Sequence, residues 1–308
     1  MKLSFPHFLI VASALFTAMP AFSQTQIIVN DSFADGDLTQ TGTLDTSWWT
    51  SSSSSGIEIS AGSLGLVTGT SGRGIHTVFP QQTLANVGDE LAVTYTFTTP
   101  DTIRQDPGSS SAFRIGLFNS LGRTGLNDNV SASSSSPNNL YGLVDDGIIG
   151  LPGFMQDLDI NTGAEADINF RAHDVNMATG RLLATTGSGS FPSLSSGPDE
   201  GYSFLPNTEY TGSFSIALTS ASEFTLTGTL NDASFSLPNV EVQSTSLDLL
   251  AFHVNSNIFG SSNSGGEPDN GIDFSNISIN FTPAVPEPNA LPLLLIGLVG
   301  LLSIRKSR

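Results

Sequence analysis

The chain lacks cysteine altogether and is poor in basic residues, with ten Lys and Arg among 308 residues. The absence of cysteine excludes disulfides, Cys-ligated zinc, iron–sulfur clusters and thiol nucleophiles. The shortage of basic residues disfavours nucleic-acid binding, because no basic patch is available to neutralise phosphates. Only 12% of the residues are charged, but 20 Phe and many aliphatic residues can build a core, which argues against disorder throughout.

The charge is unevenly distributed along the chain. Lys2 lies at one end, and Arg305, Lys306 and Arg308 lie at the other. Residues 24–288 hold six Arg, no Lys and all 28 acidic residues, so this body carries a formal charge of −22. An acidic body rich in Ser, Thr, Gly and Asn is typical of an extracellular protein that stays soluble without a partner. Such a body can also bind divalent cations.

The N-terminus has the pattern of a secretory signal peptide over residues 1–23. Lys2 supplies the positive start, and residues 8–16 (FLIVASALF) form an apolar run too short to span a bilayer. Pro20 ends the run, and Ala21 and Ser23 supply the small residues expected before a cut at Gln24. We expect export through the Sec translocon; the alternative is an uncleaved anchor.

The C-terminus has three parts over residues 284–308. Pro286, Glu287 and Pro288 precede an apolar run over residues 290–304, and Arg305, Lys306 and Arg308 follow it. The basic end is expected to stay in the cytoplasm, with the acidic body outside. Fifteen helical residues rise only about 22 Å against a hydrocarbon core of about 30 Å. This length favours transient membrane insertion over permanent anchoring.

This tail resembles the PEP-CTERM sorting signal of Gram-negative bacteria, with Pro286, Glu287 and Pro288 in the motif positions. The resemblance implies that an exosortase recognises and removes the tail. It also implies a bacterium that makes exopolysaccharide or biofilm matrix. The expected route is export, an inner-membrane intermediate, and then the cell surface or extracellular matrix. An ordinary single-pass anchor with a chance Pro-Glu-Pro is the alternative.

Between the two ends, residues 24–283 predict one all-β domain, since apolar and polar residues alternate and helical periodicity is almost absent. A shift in apolar parity predicts a β-bulge near Ser275 and Asn276. The run at 247–254, apolar on both faces, predicts a central strand. About a dozen antiparallel strands fit two stacked sheets. We predict strands at residues 57–60, 64–67, 75–79, 90–98, 112–119, 141–144, 167–172, 210–218, 224–230, 247–255 and 272–281.

The body resembles a concanavalin A-like lectin/glucanase jelly roll. The segments that carry this resemblance are Asp31-Ser32-Phe33-Ala34-Asp35-Gly36-Asp37 with the following Trp48-Trp49, residues 113–118 (FRIGLF), 207–210 (NTEY) and 272–279 (IDFSNISI). The resemblance implies a two-sheet antiparallel β-sandwich whose last strand returns beside the first.

Glucanases of this fold place acidic catalytic residues two apart on one strand, as E-x-D-x-E or E-x-D-x-x-E. Two carboxylates about 5 Å apart are needed for retaining glycoside hydrolysis. Glu165 and Asp167 match the first two acids, but Asn169 and Phe170 stand where the third is required. The Asp157–Asp159 pair also lacks a third acid. His76, His173 and His253 show no zinc spacing, and no G-x-S-x-G nucleophile elbow occurs.

Calcium is the more plausible ion, because carboxylates and carbonyls in rigid turns suit it. Asp31, Asp35 and Asp37 cluster after the first strand, and Asp273 is expected to approach them if the first and last strands are neighbours. The alternative is a turn whose aspartates bond their own backbone. The prediction is a structural calcium ion at Asp31, Asp35, Asp37 and Asp273.

Glycan binding is the other prediction, because sugar rings stack on exposed aromatic side chains. Trp48 and Trp49 are adjacent, so in an extended segment they face opposite ways. Tyr141 and Tyr202 lie near predicted loops. These four aromatics are the candidate glycan-binding residues, with ordinary core and rim aromatics as the alternative.

The sequence therefore predicts an exported, non-enzymatic surface or matrix protein that associates with exopolysaccharide or another glycan. Two other classes remain open: a glycan hydrolase or lyase of the same fold, and a purely structural biofilm matrix protein.

Overall fold

The computed structural model describes residues 23–50, 57–67, 72–101, 103, 112–122, 151–159, 168–174, 183, 191–197, 204–255 and 271–285. The chain divides into two compact units, one of residues 24–284 and one of residues 1–23 with 285–308. Of the second unit, only Ser23 and Val285 belong to the described residues.

The described residues form strands and turns, with no helix among them. The strands are β1 (Gln26–Asp31), β2 (Trp49–Thr50), β3 (Ile57–Ser60), β4 (Ser63–Val67), β5 (Arg73–Thr83), β6 (Glu90–Thr98), β7 (Ala112–Phe118), β8 (Gly153–Asp159), β9 (Ile168–Ala172), β10 (Ser193–Ser196), β11 (Glu209–Ser220), β12 (Glu223–Leu230), β13 (Ala233–Glu241), β14 (Ser246–Val254) and β15 (Gly271–Thr282).

The strands pair antiparallel into two sheets. The eight-stranded sheet has the order β13-β12-β11-β6-β15-β4-β3, with β1 also beside β15. The seven-stranded sheet has the order β10-β9-β8-β7-β14-β5-β2. This arrangement confirms the predicted all-β, two-sheet antiparallel β-sandwich, in which the last strand returns beside the first.

The core lies between the two sheets and is rich in aromatic rings. Phe113 and Phe252 of the seven-stranded sheet contact Tyr95 of the eight-stranded sheet, with ring centroids 5.8 and 5.6 Å apart. Phe97 and Phe274 complete this cluster, and all five rings are buried. Because successive side chains of a strand point to opposite faces, the residues next to these rings point away from the core. This accounts for the alternation of apolar and polar residues along each strand.

Two local predictions are confirmed. The β15 register shifts between Phe274 and Asn276, which is the expected β-bulge. β14 lies between β7 and β5, so the run that is apolar on both faces is a central strand, as predicted.

The C-terminal end of β15 is fastened by a buried carboxylate. Asp89 accepts hydrogen bonds from the backbone N–H groups of Ala85, Asn86 and Ala284 at 2.7–2.8 Å. Burial alone would raise the pKa of Asp89, but these donors outweigh burial and lower it. The bond to Ala284 attaches the chain to the sandwich beyond the end of β15, two residues before the Pro-Glu-Pro motif.

Candidate functional site: the outer face of the seven-stranded sheet

Four polar side chains lie at one register across four neighbouring strands of the seven-stranded sheet. His253 on β14 pairs with Arg114 on β7, Arg114 with Asp157 on β8, and Asp157 with Asn169 on β9. Each follows or precedes a residue whose side chain enters the core, so all four point away from it. Neighbouring strands are about 4.8 Å apart, so this polar row is about 14 Å long.

Asp157 lies between two guanidinium groups. Arg114 Nε donates to one carboxylate oxygen at 3.4 Å, and Arg171 Nε donates to the other at 2.9 Å. The Nη1 groups of the two arginines donate to the carbonyl oxygens of Leu183 and Phe191. Both oxygens of Asp157 are thus engaged, and the network joins the sheet to the segments that carry Leu183 and Phe191.

Burial governs the charge in this network. Arg114 is 1% exposed. Burial lowers the pKa of Arg114, whereas Asp157 acts in the opposite direction by stabilising the cation. A guanidinium does not lose its proton in proteins, so Asp157 lies between two cations, and the charge of Asp159 also stabilises Arg114. Few cations are available in the acidic body, and two of its six arginines are used here.

A second register row begins at the edge of the sheet. Trp49 on β2 pairs with His76 on β5, and the two rings stack with centroids 6.1 Å apart and planes 23° apart. Burial lowers the pKa of His76 to about 3, so this imidazole is neutral at physiological pH. Trp49 is partly exposed and lies on an edge strand.

The rest of this outer face is covered by a second small core. Leu151, Leu183 and Phe191 come from segments outside the sheet and pack on outward-facing apolar residues of its strands. His173 lies against Phe191 with ring centroids 4.6 Å apart, and its Nδ1 bonds the Leu151 carbonyl at 2.8 Å. The members of the small core are Phe118, Leu151, Met155, Leu183, Phe191, Leu249 and Ala251.

The predicted calcium residues are held in different surroundings. Asp31 points into the sandwich and accepts hydrogen bonds from Trp48 Nε1 at 2.7 Å and from the Phe33 N–H at 2.8 Å. Burial raises the pKa of Asp31 to about 6, although both donors oppose the shift and neighbouring Asp45 adds to it. Asp35 is exposed and accepts from the Thr41 hydroxyl and the Asp37 N–H.

Asp37 and Asp273 do not join Asp31 in this structure. Asp37 accepts from the Thr39 N–H at 3.0 Å, which is the Asx-turn bond of the alternative interpretation. Asp31 pairs with Ile277, so Asp273 lies four positions farther along β15, beside Gly65 of β4. Across the described ranges, no group of three or more His, Asp or Glu side chains is placed to hold a metal ion. Calcium binding stays a prediction.

The candidate glycan-binding aromatics also separate. Trp48 is 2% exposed, and its ring packs against Phe33 and Phe252, so a sugar cannot reach it in this structure. Trp49 faces the other way and is partly exposed. Tyr141, Tyr202 and the sorting residues Pro286, Glu287, Pro288, Arg305, Lys306 and Arg308 lie outside the described residues.

Of the two acid pairs considered for hydrolysis, the structure describes only one. Glu165 and Asp167 lie outside the described residues. Asp157 and Asp159 share the outer face of β8, but both oxygens of Asp157 are held by arginine.

Comparison with known proteins adds no family. No family model matches the sequence, and no curated protein matches it either. Among solved structures, the potassium-bound Emp46p carbohydrate recognition domain is similar at 10% identity and TM-score 0.47, covering 82% of this chain and 95% of that chain. An endo-1,3-β-glucanase from Streptomyces sioyaensis is similar at 9% identity and TM-score 0.46, covering 87% and 100%.

The alginate lyase Aly36B in complex with an alginate tetrasaccharide is similar at 13% identity and TM-score 0.38, covering 73% of this chain and 83% of that chain. Likeness at this level carries no argument about ligand or activity.

Membrane crossing is a separate question. In the part of the chain that the structure describes, no helix is long and apolar enough to cross a membrane. The predicted apolar run over residues 290–304 lies outside that part.

Proposed function

We propose that this chain is an exported surface or extracellular-matrix protein whose β-sandwich associates with exopolysaccharide or another glycan. The signal peptide supports export, and the Pro-Glu-Pro tail supports sorting by an exosortase from an inner-membrane intermediate. The acidic, Lys-free body supports a soluble extracellular life.

The observation that carries glycan association is the outer face of the seven-stranded sheet. Trp49 offers a partly exposed indole at the edge of this face, where its ring is held by stacking on neutral His76. An aromatic ring fixed in this way loses little conformational freedom when a sugar stacks on it. Arg171 on β9 is also partly exposed and lies in the register row that begins with Trp49 and His76. Its guanidinium offers hydrogen-bond donors to sugar hydroxyls.

Binding is favoured over catalysis because of Asp157. Its two oxygens bond Arg114 and Arg171, so this carboxylate serves as a structural partner rather than as a nucleophile. The hydrolase or lyase alternative rests on Glu165 and Asp167 or on acids that the sequence pattern does not single out.

A pair of variants at Trp49 tests the site. We expect Trp49→Ala to weaken polysaccharide binding about tenfold, equivalent to about 1.4 kcal/mol, and Trp49→Tyr to retain most of it because a ring remains. Isothermal titration against polysaccharides selected on a glycan array measures this. Leu194→Ala, at a 40% exposed position on β10, is the matched control. Equal affinities for wild type, Trp49→Ala and the control would remove Trp49 from the site.

Processing is tested by intact mass spectrometry of protein recovered from the cell surface and the medium. The expected species begins near Gln24 and lacks residues 290–308. Replacing Pro286, Glu287 and Pro288 with Ala should leave the protein in the inner membrane. Detection of Arg308 in the mature species would favour a plain anchor instead.

A structural calcium ion remains part of this proposal at the loop that follows β1. Asp31 and Asp45 act on each other there, which makes Asp45 a further candidate ligand. Comparison of thermal unfolding in calcium and in EDTA checks it, and equal melting temperatures would remove the ion.

A further inference from the structure

The outer face of the eight-stranded sheet carries neither charge nor aromatic rings over its centre. Every outward side chain is Thr, Ser, Asn or Ala in residues 92–98 of β6, 211–219 of β11, 225–229 of β12 and 276–282 of β15. We name this region, together with Ser234 and Ser236 of β13, the hydroxyl face. Five strands about 4.8 Å apart make it about 19 Å wide.

Cross-strand hydrogen bonds hold several of these hydroxyls in place. Ser213 and Thr229 are 2.7 Å apart between their side-chain oxygens, and Thr227 and Ser236 are 2.9 Å apart. A hydroxyl has one donor and two acceptor positions, so each paired group keeps capacity for another partner. The face therefore presents fixed hydroxyl groups in rows.

Ser215 lies near the middle of the face, in register between Ala92 of β6 and Thr227 of β12, and is 8% exposed. Its hydroxyl points outward and can both donate and accept a hydrogen bond, so a molecule that lies on the sheet can serve as its partner.

The distribution of charge indicates which kind of polymer can bind the hydroxyl face. The body carries −22, and acidic residues lie at the ends of the strands, with Glu90 and Glu223 at one end and Glu209 and Asp273 at the other. An anionic polymer would be repelled by this rim, whereas an uncharged one would not. Because sheets twist by about 20–25° per strand, a single flexible chain can follow the face better than a flat crystal surface can.

We propose that the hydroxyl face binds single chains of an uncharged polysaccharide through hydroxyl-to-hydroxyl hydrogen bonds. This goes beyond the proposed function, because it adds a second contact surface on the side of the sandwich opposite Trp49. A molecule with both surfaces bridges two polysaccharide chains and so cross-links a matrix.

The test uses isosteric variants of the full-length chain. Val has the shape of Thr but lacks the hydroxyl, whereas Ser keeps the hydroxyl and loses only a methyl group. One variant combines Val at Thr94, Thr96, Thr227 and Thr229, and its matched control has Ser at the same four positions. Binding is measured by affinity electrophoresis in gels that contain either a soluble neutral β-glucan or a polyuronate. Thermal unfolding verifies that both variants fold.

We expect the Val variant to bind the neutral glucan at least tenfold more weakly than wild type. The Ser variant should stay within about threefold of wild type. Polyuronate should not bind the hydroxyl face of any of these proteins. Ser236→Leu, which places a bulky group without an aromatic ring or a hydrogen-bonding atom at an exposed position, blocks the face without altering the interior and should also weaken binding. Equal binding of the Val and Ser variants, or unchanged binding of Ser236→Leu, would overturn the proposal.

The same assay separates this surface from the Trp49 site. Loss with Trp49→Ala alone would leave the proposed function standing and end the hydroxyl-face proposal. Loss with the Val variant alone would support the hydroxyl face and remove Trp49 from the glycan site. A wild-type chain that binds no polysaccharide would contradict both.

Discussion

The outer faces of the two sheets carry different kinds of side chain. The seven-stranded sheet carries arginine, aspartate and histidine on its outer face and buries them beneath a second small core. Over its central strands, the eight-stranded sheet carries hydroxyl and amide groups on its outer face, which alternate with apolar residues on its inner face. The charged groups of the polar row are therefore shielded from water, whereas the acidic residues at the strand ends of the other sheet are not.

This difference indicates which face is sensitive to change. A buried ion pair depends on each of its partners, since removal of one leaves the other charged and without water. A hydroxyl at a partly exposed sheet position loses little when it is replaced, because water or a neighbour takes its place. We expect substitutions in the buried polar network of the first face to act on stability, and those at the partly exposed Trp49 and on the second face to act on binding.

The largest effect is expected at Asp157. Asp157→Ala removes the carboxylate that bonds Arg114 and Arg171, so the buried Arg114 loses this charged partner. We expect a loss of about 3–5 kcal/mol in the free energy of unfolding. Urea denaturation measures it, with Thr227→Val on the hydroxyl face as the control, expected within about 0.5 kcal/mol of wild type. Similar losses in the free energy of unfolding for the two variants would contradict the expected difference between the two outer faces.

An intermediate effect is expected at Gly116 on β7. A methyl group there would overlap the Phe118 ring and approach Leu183 Cδ2 to 2.9 Å, within the second small core. Overpacking of this kind costs about 1–3 kcal/mol. Urea denaturation of Gly116→Ala and of Ala92→Ser on the hydroxyl face should differ by that amount. A neutral Gly116→Ala would mean that the segments over the seven-stranded sheet pack loosely.

At neutral pH the smallest effect is expected from His76, because its contribution to stability changes only when the pH falls below 6.5. Burial lowers its pKa from 6.5 to about 3 in the folded state, so between pH 6.5 and pH 3 the unfolded chain binds a proton that the folded chain does not. The contribution of His76 to the free energy of unfolding is therefore fully present above pH 6.5. It falls on acidification by at most about 1.4 kcal/mol per pH unit.

His76→Gln should reduce that slope, and the Thr94→Val variant should not change it, because the hydroxyl face has no titratable side chain. Urea denaturation at pH 7, 6 and 5 compares the three proteins. Parallel slopes for wild type and His76→Gln would show that His76 is exposed to solvent.

Much of the fold could be predicted from local alternation. Residues 90–98 match β6 throughout, because Leu91, Val93, Tyr95 and Phe97 all face the core while polar residues alternate with them. β8 was not predicted, since Gln156 occupies an inward position and Met155 an outward one, which hides the period of two. Tertiary packing overrides the pattern there, with Gln156 against Gly228 of the other sheet.

The polar row could not be predicted in the same way. His253, Arg114, Asp157 and Asn169 come from four separate strands, and only the pairing of those strands brings them to one register. A single sequence fixes which face each residue takes along its own strand but not which strands are neighbours. The orientation of Trp48 and Trp49 was a local property and followed from their adjacency.

The central claim is that the folded sandwich binds polysaccharide without cleaving it. The most direct measurement incubates the secreted protein with the polysaccharides of a glycan array and records both bound protein and released sugar. The account predicts saturable binding to at least one polysaccharide, with no new reducing ends and no unsaturated sugar products. Absence of binding to any of them, or release of sugar during incubation, would contradict it.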